Sequence, residues 1–156
     1  MKAALLALEE GVAQPVLIGK QHTIVSKAKK NDIDISQFEI IEPSQDHRYE
    51  NYVDQYYELT ARSGSTHSEA LYDVRQAHIF GNMMLRNGDV DGLICGIDRY
   101  YPAMIRPILK LVGLQQGINS PAGLYLLSIK DKLLFFSDTT VNVDMNSEKL
   151  SDIAIM

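Results

Sequence analysis

Three residues close together in the chain, Gly96, Arg99 and Arg106, have the chemistry of an anion-binding site. They follow an apolar run at 90–95, which predicts a buried strand ending at Gly96, where backbone N–H groups can approach a ligand. Arg99 and Arg106 are seven residues apart, so on one continuous helix they would share a face and bind a phosphate. The alternative is a surface turn with two solvated arginines, and spacing alone favours that alternative.

Asp138 and Asp144 form a second candidate, a carboxylate pair for acid–base or metal chemistry, with Asn142 between them. The same residues suit a turn that caps a following helix, and this interpretation is favoured. Cys95 has no matched histidine motif and is predicted to be a small buried side chain. The four histidines form no ligand pair, so the sequence predicts no metal site.

Composition restricts the class of protein. A chain of 156 residues with 46% hydrophobic and 22% charged residues is typical of one globular domain. The net charge of −5 argues against a nucleic-acid partner. No apolar run approaches the roughly 20 residues that span a bilayer, and no signal peptide is visible. With a single cysteine, which cannot form an internal disulfide, the default location is the cytoplasm.

Alternating helix and strand patterns must position these residues. Short apolar runs bounded by turn-forming residues predict strands, and apolar residues at helical spacing predict helices. The predicted strands are 15–19, 38–41, 90–95, 124–129 and 132–136, and the predicted helices are 1–10, 21–31, 47–62, 67–87 and 102–112, followed by one that starts at Asn146 or Ser147. The last two strands are separated by two residues and predict an antiparallel hairpin. The order favours the α/β class, with a mixed, mostly parallel sheet between helices in a three-layer α/β/α sandwich.

Two details refine this prediction. Thr66-His67-Ser68-Glu69 has the form of a capping box, and Asn87-Gly88 predicts the end of the long helix that follows it. Pro107 predicts a kink or a restart within the helix 102–112. Both ends of the chain lie inside helical patterns, so we expect a piece of a longer domain.

Several segments, in order, resemble the phosphate acetyltransferase/butyryltransferase family. They are EEGVAQPVLIGK, YYELTARSGSTHSEA, FGNMMLRNGDVDGLICG, the Arg106-Pro107 helix, and LLFFSDTTVNVDMNSEKLSDIAIM. The chain is most similar to the phosphotransacetylase-like region of bacterial NADP-dependent malic enzymes. The resemblance implies a two-lobed fold similar to isocitrate and isopropylmalate dehydrogenases, commonly dimeric, with coenzyme A between the lobes. Residues 1–156 would then lack the first strand and the C-terminal half of that domain.

The resemblance also exposes two departures from the family's catalytic pattern. Active members have a run close to Ser-Gly-Ala-x-His-Ser-Thr before the Arg-Pro helix, whereas this chain has Cys-Gly-Ile-Asp-Arg-Tyr-Tyr at 95–101. Arg106 matches a substrate-binding arginine of the family, but a second active-site arginine falls at Thr60. No catalytic residue is therefore predicted, and the predicted ligand-binding residues for acyl-CoA or phosphate are Gly96, Arg99, Arg106, Asp138 and Asn142.

The resulting hypothesis is a regulatory and assembly domain of an NADP-dependent malic enzyme that binds acetyl-CoA or another acyl-CoA. NADP and a divalent Mg or Mn ion would serve malate oxidation in a separate N-terminal region, and this segment would carry no cofactor. We expect a homo-oligomer with no nucleic-acid or membrane partner. The alternative is an active transferase that converts acyl-CoA and phosphate to acyl phosphate and CoA.

Overall fold

Seven α-helices, two short 3₁₀ helices (Pro43–Gln45 and Ala61–Ser63) and two pairs of strands form the regular structure of the part of the chain that the computed structural model describes, residues 1–97, 99–118, 120–142 and 144–155. The chain divides into two units, Met1–Val112 and Gly113–Met156. The first contains α1 Lys2–Glu9, β1 Val16–Ile18, α2 Gln21–Lys30, β2 Glu39–Ile41, α3 Tyr49–Thr60, α4 His67–Val74, α5 Ala77–Asn87 and α6 Tyr101–Leu111. The second contains β3 Leu124–Ile129, β4 Lys132–Ser137 and α7 Ser147–Ile155.

The first unit begins with a β–α–β arrangement. Strands β1 and β2 are parallel, with Leu17 opposite Ile40, and α2 connects them. The N–H of Gly19 donates to the carbonyl of Ile41 at 2.8 Å and continues the pairing past the end of β1. A parallel pair needs a crossover connection, and the polar helix α2 supplies it. These two strands and their orientation confirm the sequence prediction.

Helix α3 is the centre of the first unit's core. Tyr49, Tyr52, Val53 and Tyr56 recur at helical spacing on its buried face. The ring of Tyr52 lies 5.0 Å from that of Phe80 on α5, at an angle of 57°. The other buried members of this cluster are Ile41, Ala70, Val74, Ile79, Met83, Met84 and Leu111. Each large side chain buried in this way stabilises the fold by about 1.5–3 kcal/mol.

The tyrosine hydroxyls of α3 have polar partners despite their burial. Tyr49 donates to the carbonyl of Leu71 at 2.6 Å, and Tyr56 donates to the Asp73 carboxylate at 2.8 Å. Burial, together with the bond to Asp73, raises the pKa of Tyr56, so its hydroxyl remains a donor at neutral pH. The bonds of Tyr49 and Tyr56 reach the second half of α4 and so hold α4 against α3.

The predicted single helix 67–87 is wrong, because the structure contains two helices. Arg75 ends α4, and Gln76 adopts an extended conformation before α5 begins. The backbone N–H of Gln76 donates to the Asp73 carbonyl at 2.9 Å, and its side chain donates to the Asp73 carboxylate at 3.3 Å. The start of α4 and the end of α5 were predicted correctly. Thr66 and Glu69 form a reciprocal capping box, and Gly88 ends α5 with φ of 76°.

The second unit is built on the predicted antiparallel hairpin. Tyr125 pairs with Phe136 and Leu127 with Leu134, and Lys130 in the turn has φ of 52°. Every residue of both strands is exposed, although large apolar side chains occupy both faces. Asn146 caps α7 by accepting the N–H of Lys149 at 2.9 Å.

These elements confirm the α/β class. The described residues carry two separate two-stranded sheets, one parallel and one antiparallel, in place of one continuous mixed sheet.

Candidate functional site

The loop that carries the predicted anion site begins at a fixed point on the core. Asp89 follows the end of α5, and its backbone N–H donates to the carbonyl of Met84 at 2.9 Å. Its carboxylate accepts the hydroxyl of Tyr52 and lies 3.8 Å from the guanidinium of Arg48. Desolvation and this bond raise the pKa of Tyr52, so the hydroxyl stays protonated as the donor. Arg48 is itself held by two hydrogen bonds to the Asp46 carboxylate, at 2.8 and 2.9 Å.

Residues 90–95 do not form the predicted strand, because their backbone pairs with neither β1 nor β2. The segment nevertheless packs on the core through its side chains. A Cβ at Gly81 of α5 would lie 2.7 Å from Leu93 Cδ1 and 3.2 Å from Ile18 Cδ1. Gly81 therefore allows α5, β1 and the loop to approach one another closely.

Gly96 forms a tight turn between this segment and α6. Its φ of 99° is a conformation that glycine adopts without strain. A Cβ there would lie 3.4 Å from Met104 Cγ, and the N–H of Arg99 donates to the Gly96 carbonyl at 3.4 Å. The turn was expected from the sequence, and its function in ligand binding stays a prediction.

The two predicted arginines are both exposed but do not share a helix. Tyr100 is extended and precedes α6, so Arg99 lies in the loop and Arg106 lies inside the helix. The argument from seven-residue spacing therefore does not apply, because it requires one continuous helix. Helix α6 continues through Pro107, so of the two predicted alternatives the restart is wrong and the kink stays a prediction. Within the described residues neither arginine forms an ion pair, and Asp98 lies outside those residues.

Two polar residues of α5 are additions that the sequence reasoning did not select. Burial and then the positive charge of Arg99 lower the pKa of His78, although Asp73 opposes the shift. One turn later, Asn82 is fully buried and donates to the His78 carbonyl at 2.7 Å. Its Oδ1 has no hydrogen-bond partner in the described part of the chain. The sequence signal was a pair of polar residues four positions apart within an apolar helix.

The second unit joins Asp138 and Asn142 directly. The Asn142 side chain donates to the Asp138 carboxylate at 2.7 Å and to the Pro121 carbonyl at 2.8 Å, and accepts the hydroxyl of Ser120 at 2.7 Å. Desolvation opposes ionisation of Asp138, but hydrogen bonds from Asn142 and from the backbone N–H of Gly123 keep its pKa below the usual range. A cavity of about 290 Å³ borders this cluster, lined by Ser120, Asn142 and the start of α7. This bonding is typical of a turn before a helix, and a ligand-binding function for Asp138 and Asn142 stays a prediction.

The structure also places Cys95 and Thr60, two residues considered in the sequence analysis. Cys95 is exposed, which corrects the prediction of a buried side chain. Thr60 is fully buried, and its hydroxyl donates to the Tyr56 carbonyl at 2.8 Å. The side-chain hydroxyl of Thr60 is therefore bonded within α3.

Two kinds of feature are absent from the part of the chain that the structure describes. Across those residues, no three His, Cys, Asp or Glu side chains are grouped so that they could hold a metal ion. None of the helices described here has the length and apolar character needed to cross a membrane.

The fold identifies the class of protein first. The structure matches the phosphotransacetylase EutD from Staphylococcus aureus with a TM-score of 0.84 and 25% sequence identity. The match covers 99% of this chain and 46% of that one. The chain is thus similar to about half of a solved phosphotransacetylase.

The sequence then gives the family. The family model for phosphate acetyl/butaryl transferase matches residues 1–156, and the chain belongs to that family. It is 33% identical to a phosphate acetyltransferase of Clostridium acetobutylicum, over 98% of this chain and 48% of the relative. It is 31% identical to the NAD-dependent malic enzyme of Rhizobium meliloti, over 100% of this chain and 21% of the relative. It is 33% identical to the NADP-dependent malic enzyme of Haemophilus influenzae, over 94% of this chain and 20% of the relative. The chain thus spans about half of the transferase and a fifth of the malic enzymes.

Proposed function

We propose that this chain is a phosphotransacetylase-like regulatory region of a malic enzyme, which binds acetyl-CoA or another acyl-CoA and does not transfer the acyl group. One observation carries the proposal. Thr60, at the position where the resemblance places an active-site arginine, is fully buried and bonded to the carbonyl of Tyr56. The position supplies neither a positive charge nor a donor for a phosphate.

The missing guanidinium has a large energetic consequence. A positively charged donor directed at developing negative charge in a closed site lowers the barrier by about 2–4 kcal/mol. The sequence at 95–101 adds to the loss, because the tyrosines Tyr100 and Tyr101 are its only hydroxyl residues. Acyl transfer to phosphate is therefore disfavoured, whereas binding is not.

The residues that remain suit an anionic ligand. Gly96 supplies a tight turn, and Arg99 and Arg106 supply two exposed guanidinium groups in a protein of net charge −5. A guanidinium binds phosphate through two parallel hydrogen bonds. Acyl-CoA carries several phosphate groups and fits this chemistry.

The rest of the proposal concerns the whole protein, of which this chain would be one region. Malate oxidation with NADP and Mg or Mn would belong to a separate region, and this region would support a homo-oligomer in the cytoplasm. Two of the relatives are malic enzymes of which this chain covers about a fifth, which supports a multi-region parent.

Calorimetry on the full-length protein tests the proposal. Acetyl-CoA is expected to bind, and Arg106→Ala is expected to weaken binding by about ten- to a hundredfold, since a charge-assisted hydrogen bond contributes about 1.5–3 kcal/mol. Arg62→Ala, an exposed arginine elsewhere in the first unit, is the matched control and should leave binding unchanged. Absence of binding, or an equal loss with Arg62→Ala, would contradict the site.

A second candidate is an active acyltransferase, favoured by the retained Arg106-Pro107 pair and by the phosphate acetyltransferase relative. It predicts phosphate-dependent formation of acetyl phosphate from acetyl-CoA. A coupled assay on the full-length protein separates the two candidates, because the regulatory region is expected to yield no acetyl phosphate above background.

A further inference from the structure

The hairpin β3–β4 has two apolar faces, and one of them is distinctly more exposed. Successive side chains of a strand point to opposite faces. The more exposed face, here called the open face, consists of Leu124, Leu126, Ser128, Leu133, Phe135 and Ser137. Its four apolar side chains are 55–66% exposed, whereas the five apolar side chains of the other face are 39–53% exposed.

The segment after β4 accounts for this difference. The hydroxyl of Tyr125, on the less exposed face, lies 3.5 Å from the hydroxyl of Thr140. Gly123 precedes Tyr125 by two residues, and a Cβ there would lie 3.2 Å from Val141 Cγ2. Residues 140–141 therefore lie beside the face that carries Tyr125, and the open face remains in solvent.

The residue types of the open face are those of a protein–protein interface. None of its six side chains is charged, and the charged residues of the hairpin lie in the turn or, for Lys132, on the other face. Phe135 pairs with Leu126 at the middle of the open face, while Ser128 and Ser137 lie at diagonally opposite corners. An aromatic centre, a polar rim and a lack of charge are typical of the core of an interface.

We propose that the open face binds the open face of a second copy of this chain. The two hairpins then pack as two sheet layers about 10 Å apart. A two-fold axis between the layers brings the same surface together from both copies, and an uncharged apolar surface is complementary to itself. This inference rests on the homo-oligomer of the proposed function, but it does not depend on acyl-CoA binding.

The available area fits a second copy. A large side chain has about 150–250 Å² of surface, so the four apolar residues present roughly 450 Å² and two copies bury roughly 900 Å². This area is close to the minimum of about 1,000 Å² for a specific interface and is typical of weak, transient contacts. We therefore expect a dissociation constant of about 10–100 µM. Dilute protein is then monomeric, with the open face in solvent.

Light scattering of the full-length protein tests the interface over a concentration series from about 1 to about 500 µM, where mass action is visible. The mass is expected to rise from one chain towards two. Phe135→Gln should raise the dissociation constant by at least about tenfold, because a two-fold interface contains the substitution twice. Leu126→Thr should act in the same direction and keeps a residue that strands favour.

Phe136→Gln is the matched control, since it makes the same change one residue further along and on the other face. Its dissociation constant should stay within about threefold of that of the unchanged protein. Circular dichroism checks that each variant retains the fold. All three variants should bind acetyl-CoA as the unchanged protein does, which separates the interface from the proposed ligand site.

Methyl NMR gives a second measurement that needs no substitution. The methyl signals of Leu124, Leu126 and Leu133 should shift as the protein concentration rises. Those of Leu127 and Leu134, on the other face, should stay in place. This pattern distinguishes the open face from pairing along a strand edge, which would shift signals from both faces.

Three outcomes overturn the inference. If an oligomer forms and Phe135→Gln weakens it no more than Phe136→Gln, the homo-oligomer stands and the open face is not its interface. A monomer at every concentration contradicts both, and open-face methyls that are buried in that monomer would assign the face to another segment of the same chain. Growth beyond two copies would identify a surface for aggregation in place of a two-fold interface.

Discussion

The core around α3 and the hairpin β3–β4 are both rich in large apolar residues, yet their surroundings are opposite. Tyr52 and Phe80 in the core are fully buried, and the Tyr52 hydroxyl is bonded. In the hairpin, Phe135 and Phe136 lie on opposite faces and both are exposed. The core is stabilised by side-chain packing, whereas the hairpin is stabilised mainly by its own backbone ladder. Apolar content therefore does not by itself determine burial.

The comparison has an energetic consequence. Removing atoms from a close-packed core leaves a cavity, whereas removing them from an exposed face leaves solvent. The same substitution should then have very different effects in the two regions. This can be tested with the protein as it is, because phenylalanines are present in both.

The largest difference is expected for Phe80→Ala against Phe135→Ala. Phe80 is fully buried against Tyr52, so its loss should lower the free energy of unfolding by about 3–5 kcal/mol. Phe135 is 65% exposed, and its loss should change the same quantity by no more than about 0.5 kcal/mol. Urea denaturation followed by circular dichroism measures both, since the protein has no tryptophan. Comparable losses would show that the hairpin packs as tightly as the core.

A smaller effect is expected from a single hydroxyl. Tyr52→Phe keeps the ring but leaves the Asp89 carboxylate without its tyrosine donor. Loss of one side-chain hydrogen bond costs about 0.5–1.5 kcal/mol. The same change at the exposed Tyr72 should have no measurable effect in the same denaturation experiment. If the two variants were equally stable, the contact between α3 and the loop would contribute nothing.

The sequence predicted those elements that depend on local chemistry. The capping box at Thr66 and Glu69, the glycine at 88 and the hairpin turn all have local hydrogen-bonding or φ requirements that the residue types reveal. The family resemblance was also available from the sequence and is confirmed by the match over the whole chain.

The sequence-based predictions were wrong where contacts between residues far apart in the chain determine the structure. The apolar stripe through Ala70, Val74 and Ala77 continues across the break between α4 and α5, because periodicity records burial and not backbone conformation. The break coincides with Asp73, which Tyr56 and Gln76 both bind. Likewise, residues 90–95 have a strand-like composition, but a strand requires a neighbouring backbone, and no described one pairs with them.

The site was predictable only in part. Residue types identified Gly96 and the two arginines as a candidate, but the start of α6 at Tyr101 decides that Arg99 lies outside the helix. The residue types show only that Asn82 is a polar residue in an apolar helix, and the missing partner of its Oδ1 is recognised only when its neighbours are known.

The caps of α4 and α7 test the same difference between the core and the second unit with a single hydrogen bond each. Thr66 caps α4, whose Ala70 and Val74 are buried in the core, so Thr66→Ala should lower the free energy of unfolding by about 1 kcal/mol. Asn146 caps α7, which buries no described side chain, so Asn146→Ala should fray that helix without moving the denaturation midpoint. Ser68→Ala, one residue from the Thr66 hydrogen bond, is the control. Hydrogen exchange of the α7 amides should rise only in Asn146→Ala, and a shifted midpoint in that variant would mean that α7 is coupled to the core.

The smallest expected effect is a pH dependence of the free energy of unfolding. It is expected in the first unit, because all four histidines lie there. Burial and the charge of Arg99 lower the pKa of His78 below its ordinary 6.5, so near that pH the unfolded chain binds more protons than the folded one. The stability from neutral His78 is therefore complete above pH 6.5 and is lost as the pH falls towards the folded-state pKa. His78→Gln should flatten this part of the profile of unfolding free energy against pH, whereas His22→Gln, at an exposed position, should leave it unchanged. Arg99→Gln should reduce the slope only partly, because burial, the larger cause, remains. An unaltered slope in His78→Gln would assign the pH dependence to another group.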